Sequence, residues 1–149
     1  MRALGLDFGT KTIGLSISDS TKMIASSLKV LRYEFDYTKL FEEIKNIIAE
    51  KNVDEVILGY PINMDDTIGK RAEETLLFKE KLQEYLNMNI ILEDERLTTR
   101  EATKILIEAD LSRKKRKKVI DKLAASFILQ GYLDRRRDGK NNNWNRKQR

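Results

Sequence analysis

The sequence predicts an α/β domain: a five-stranded mixed sheet, made of a three-strand meander followed by parallel strands, flanked by helices. Three observations predict it. The chain through Leu31 alternates apolar and polar residues with period two. Beyond it, amphipathic helical patterns alternate with short, wholly apolar runs. A length of 149 residues suits one domain that buries its own core, and with no cysteine no disulfide staples it.

The elements follow in order. In the first strand Leu4, Leu6 and Phe8 fall on one side, and Ala3, Gly5 and Asp7 on the other. One face is core; the other carries a lone carboxylate, with small neighbours leaving open space around it. Gly9 permits a sharp turn, and Thr12 to Ser18 returns as an antiparallel partner through Ile13, Leu15 and Ile17. Met23 to Leu31 reads as a third strand and Tyr33 to Tyr37 as its connection. Leu40, Phe41, Ile44, Ile47 and Ile48 recur at helical spacing, giving a helix from about Thr38 to Lys51. Val56-Ile-Leu58, closed by Gly59 and the single proline, Pro61, fits a buried parallel strand. After a polar loop over 63–69, Ala72, Leu76, Lys79, Leu82 and Leu86 mark a helix from Lys70 to Leu86. Ile90 to Leu92 is the last buried strand, ending in Glu93-Asp-Glu-Arg96. Thr98 and Glu101 have capping-box spacing for a helix to about Ala109. A basic block intervenes before a final helix from about Lys117 to Arg135, with Val119, Leu123, Phe127 and Ile128 as core. Right-handed crossovers place the first strand in the centre of the sheet. Residues 1–135 form the domain, and 136–149 read as a basic, disordered tail whose Trp144 can stack on a base.

Histidine is absent as well as cysteine, which excludes Ser-His and Cys-His nucleophile systems and zinc sites of the usual ligand set. Acid-base or metal chemistry then rests on carboxylates, lysine, tyrosine or water, and favours a hard cation such as Mg²⁺ or Mn²⁺. The 29 Lys and Arg against 24 Asp and Glu give a net charge of +5 that is unevenly spread. Arg113, Lys114, Lys115, Arg116, Lys117 and Lys118 form one unbroken block, and Arg135-Arg-Arg137 with the tail forms another. Such clusters suit a polyanion through counterion release. The N-terminus lacks a signal peptide's charged and apolar regions, and no run approaches the roughly 18 apolar residues of a membrane span, which predicts a soluble cytoplasmic protein with no membrane partner.

Three acids fall at element ends on one edge of the predicted sheet. Asp7 closes the first strand; Glu95, or its neighbours Glu93 and Asp94, closes the last; Asp121 lies early in the final helix on the inward row that continues through Ala125 and Ile128. Carboxylates converging without a histidine repel one another unless cations lie between them. Two divalent ions roughly 4 Å apart on such carboxylates suit phosphodiester hydrolysis. Lys11 and Arg96 are then candidates to hold the scissile phosphate.

Asp7-Phe-Gly-Thr-Lys-Thr-Ile-Gly14, Gly59-Tyr-Pro-Ile-Asn-Met-Asp65, Asp94-Glu-Arg-Leu-Thr-Thr99 and Lys118-Val-Ile-Asp-Lys-Leu-Ala-Ala125, with Ile128-Leu-Gln130 and Tyr132-Leu-Asp134, resemble the YqgF (RuvX) family. Its members are described as Holliday-junction resolvases and as nucleases maturing the small-subunit ribosomal RNA precursor. The resemblance implies a ribonuclease H-like fold and a divalent-metal nuclease with Asp7, Glu95 and Asp121 at the acidic site. It also implies maturation of the 5′ end of pre-16S rRNA in ribosome biogenesis, with ribosomal particles as a further partner and the chain a monomer or weak homodimer. Asp66 stands where the family usually has glycine, and Lys11-Thr12 replaces a more usual arginine-containing turn. Three other functions compete: a resolvase of four-way DNA junctions, which needs a dimer to make two symmetric cuts; an ATP-binding module, since Asp7-Phe-Gly-Thr also resembles the phosphate loop of actin-like ATPases; and a non-catalytic RNA-binding assembly factor.

Overall fold

The computed structural model describes residues 1–62, 65, 68–96, 104 and 107–137, with the side chains of 120–122 left outside the description. Among the described residues, the strands and helices with full bounds follow one another as β1 (Arg2–Phe8), β2 (Thr12–Ser18), β3 (Ala25–Arg32), α1 (Thr38–Glu50), β4 (Val53–Tyr60), α2 (Lys70–Leu86), β5 (Ile90–Asp94) and α3 (Arg113–Arg137). They form one mixed sheet in the order β3-β2-β1-β4-β5. The meander is antiparallel, and β4 and β5 add in parallel to β1, so β1 is central as its pattern predicts.

Each face of the sheet is covered. Leu4, Leu6 and Phe8 join Val56, Leu58, Leu92 and the apolar rows of α1 and α2 in the main core. Its middle is aromatic: Phe8 stacks on Phe78 at 4.2 Å and on Tyr33 at 5.7 Å between ring centroids. The opposite face carries α3, whose Ile128, Leu129 and Leu133 pack on Ala3 and Ile57. The open space expected beside Asp7 is therefore largely used. A Cβ at Gly5 would collide with Ser16 Oγ and lie 2.8 Å from Leu129 Cβ, so the glycine admits α3 itself. Ser16 fixes that approach by donating to the Ala125 carbonyl at 2.7 Å.

Three boundaries differ from the sequence reading. β4 begins at Val53 rather than at the apolar run, because its charged start is neutralised by Lys22. The last helix begins at Arg113, so the basic block forms its first turns instead of a connecting loop. That helix also runs through Arg137, and the tail beyond it, with Trp144, lies outside the described residues. Of the helix expected from Thr98 to Ala109, Lys104, Ile107 and Glu108 are helical and most of the rest lies outside the described residues. Among the described residues no helix is long and apolar enough to cross a membrane.

Candidate active site

The carboxyl ends of β1, β4 and β5 meet at one edge of the sheet. Asp7 points to the α3 face, paired in register with Gly14 of β2. It opens on a cleft of about 300 Å³ walled by Gly9, Thr12, Gly14, Leu123 and Ala125. The turn after Asp7 is closed by Gly9 N–H donating to Thr12 O at 2.7 Å and by the Tyr33 hydroxyl donating to Gly9 O. Asp121 lies on α3 one helical turn before Ala125, a wall of that cleft, and its side chain lies outside the described residues.

The last strand offers three consecutive acids, and the fold treats them differently. Glu93 is buried on the α3 face and paired with Arg135. Asp94 is buried and held by Arg96, whose Nη2 lies 2.8 Å from Oδ2 and whose backbone N–H donates to Oδ1 at 2.9 Å. Glu95, in helical conformation just past the strand, folds its carboxyl over Gly59. A Cβ at that glycine would lie 2.5 Å from Glu95 Oε1, so Gly59 makes the room for it. Burial pushes the Glu95 carboxyl up to about 7, the charge of Asp7 pushes the same way, and Arg71 opposes them. Asp7 and Glu95 are thus electrostatic neighbours although 88 residues separate them in sequence.

The cations sort as clearly. Lys11 is exposed on the turn after Asp7, and Arg96 is engaged by Asp94. Arg113, Lys114, Lys115, Lys117 and Lys118 are exposed on the first turns of α3, while Arg116 is half-buried and donates to Leu111 O at 3.0 Å. The second basic block differs from its expected use as a polyanion surface: Arg135 pairs with Glu93, Arg136 lies 3.7 Å from Glu55 and Arg137 lies 3.2 Å from Asp134. Those arginines fasten α3 to the sheet and to itself. Sequence reasoning missed Arg71, whose signal was its place at the start of the helix that leaves the carboxyl end of β4.

A family model described as "RuvX: Holliday junction resolvase" matches residues 1–135. The chain belongs to the RuvX family. A RuvX-family relative from Shouchella clausii is 49% identical over 136 residues, covering 91% of this chain and 96% of its own length. One from Desulfitobacterium hafniense is 48% identical over 143 residues, covering 95% and 99%. Both carry the name "Putative pre-16S rRNA nuclease". Among solved structures, that of Thermus thermophilus RuvC superposes with a TM-score of 0.56 at 12% identity, covering 94% of this chain and 98% of that one. At that identity the likeness speaks for the ribonuclease H-like fold of this RuvX-family chain.

Proposed function

We propose that the chain is a nuclease, a hydrolase acting on ester bonds, that cleaves phosphodiester bonds of the pre-16S rRNA and matures its 5′ end during ribosome biogenesis in the cytoplasm. Asp7, Glu95 and Asp121 are its site residues and Mg²⁺ or Mn²⁺ its cofactor. One observation carries the reading. At the carboxyl edge two of three consecutive acids are neutralised by arginines, while Glu95 is held beside Asp7 with its carboxyl pushed up to about 7. An arrangement that costs the metal-free protein stability has its reason in a cation between the two carboxylates.

The residues fit a hard divalent ion, because all the proposed donors are carboxylate oxygens and the chain has neither histidine nor cysteine. Asp7 and Glu95 would hold it, with Asp121 as the third ligand. Among the described residues no three such groups assemble on their own, and the Asp121 side chain lies outside that description. When bound, the metal supplies polarisation of the phosphate and activation of water. The chain's own residues do the rest. The rigid β1 places Asp7, Gly59 gives Glu95 its position, and α3 closes the α3-side wall of the cleft through Leu123 and Ala125.

The exposed cations of α3 hold the RNA backbone. Six consecutive positive residues at a helix start oppose the helix dipole, so local stability does not account for them. A polyanion does. In this reading the partners are pre-rRNA and ribosomal particles, and the chain acts as a monomer or weak homodimer.

The family description names a second substrate, a four-way DNA junction. One assay separates the readings: a precursor rRNA fragment with its native single-stranded extensions, and a four-way junction, each incubated with Mn²⁺ and wild type or Asp7→Asn. Trimming of the RNA by wild type alone is the expected result. Symmetric cutting of the junction with the RNA untouched selects the resolvase. Binding of RNA without cleavage by either protein makes the chain an assembly factor.

A further inference from the structure

Arg71 is a described cation, near the carboxylate edge, whose carboxylate partner is weak. Its Cζ lies 4.9 Å above the Phe8 ring, and Phe8 follows Asp7 directly in β1. That ring also stacks on Phe78 and on Tyr33, so the guanidinium rests on a packed aromatic cluster at the end of β1. Its carboxylate contact is Glu74, one helical turn on, at a long 3.4 Å, with both side chains about one third exposed or more. Exposed pairs of that kind contribute little and exchange readily. Arg71 lies in the first turn of α2, the helix that follows the carboxyl end of β4, so its guanidinium over Phe8 sits at the edge of the sheet where β1 and β4 end.

An arginine held over an aromatic ring can still turn its N–H fork outward. That fork matches two non-bridging phosphate oxygens, a geometry lysine cannot reproduce. The alternatives nearby are weaker: Arg96 is bidentate on Asp94, and Lys11 is exposed on the turn. We propose that Arg71 is a phosphate-binding residue that grips the backbone of a nucleic-acid strand beside Asp7 and Glu95 and sets which phosphodiester lies over them. The assignment rests on the nuclease reading for its consequence and on the Phe8 stack for its position.

The test measures binding and cleavage separately. Affinity of a labelled single-stranded RNA oligonucleotide is followed against KCl concentration in the Asp7→Asn background, with Arg71 kept or replaced by Gln or Lys. Arg71→Gln is expected to weaken binding about tenfold and to reduce the slope of log affinity against log salt by roughly 0.7, the share of one phosphate on a single strand. Arg71→Lys is expected to restore the slope and only part of the affinity, because it keeps the charge and loses the fork. Unchanged affinity and slope in Arg71→Gln overturns the proposal, as does a loss of affinity that follows a lowered melting temperature with the slope intact. With Asp7 restored, RNA cut by wild type and equally by Arg71→Gln removes Arg71 and leaves the nuclease. Loss of the phosphate contact in a protein that cuts nothing removes the nuclease reading and leaves Arg71.

Discussion

The two ends of the sheet handle acidic side chains in opposite ways. At the end where β4 starts, Asp54 and Glu55 meet Lys22, whose Nζ lies 2.8 Å from one and 2.5 Å from the other, and Tyr132 donates to Glu55 at 2.6 Å. Burial alone would push the Glu55 carboxyl up, but the hydrogen bonds from Lys22 and Tyr132 bring it below its ordinary value. At the other end burial and a like charge hold Glu95 at about 7. The first arrangement fastens β4 and α3 to the β2–β3 turn. The second fits the proposed cation between Asp7 and Glu95, since carboxylates left in conflict beside neutralised neighbours are candidates for a functional site.

The largest effect that sharpens this contrast is on stability against pH. Glu95 has a folded-state value raised above 4.5, so the folded metal-free protein holds the proton more tightly than the unfolded chain does. Its contribution is present below about pH 4.5 and is lost as pH rises toward 7. The loss amounts to at most about 3 kcal/mol. Glu95→Gln is therefore expected to raise the urea-unfolding stability of the metal-free protein at pH 8 and to flatten its pH dependence between 5 and 8. At the paired end, Lys22→Gln is expected to cost about 1–2 kcal/mol in the same measurement and to leave cleavage unchanged. The smallest effect on stability belongs to the α3 cations. Replacing Lys114, Lys115, Lys117 and Lys118 with Gln is expected to leave the melting temperature unchanged or slightly higher, since those charges oppose the helix dipole, while flattening the salt dependence of RNA binding.

Much of this architecture was legible from periodicity. The helix from Lys70 to Leu86 and the central place of β1 follow from apolar spacing and connection handedness. What escaped depends on pairings across the fold. The start of β4 lies outside its apolar run, and its acids are matched by Lys22, a partner 33 residues from Glu55 that no local pattern reveals. The start of α3 was hidden by cations placed against its dipole. The choice among Glu93, Asp94 and Glu95 is an outcome of tertiary structure, since Arg135 reaches Glu93 only after α3 has crossed the sheet. β5 ends at Asp94 and Glu95 already lies in helical conformation, a boundary that the sequence Glu93-Asp-Glu95 does not announce.

The most direct measurement of the account is a thermal melt of wild type, Asp7→Asn and Glu95→Gln at pH 8, each with and without Mn²⁺. The account predicts that Mn²⁺ raises the melting temperature of wild type and that either substitution removes most of that rise, although Glu95→Gln melts higher than wild type without metal. An equal rise in all three proteins, or none in wild type, would contradict it.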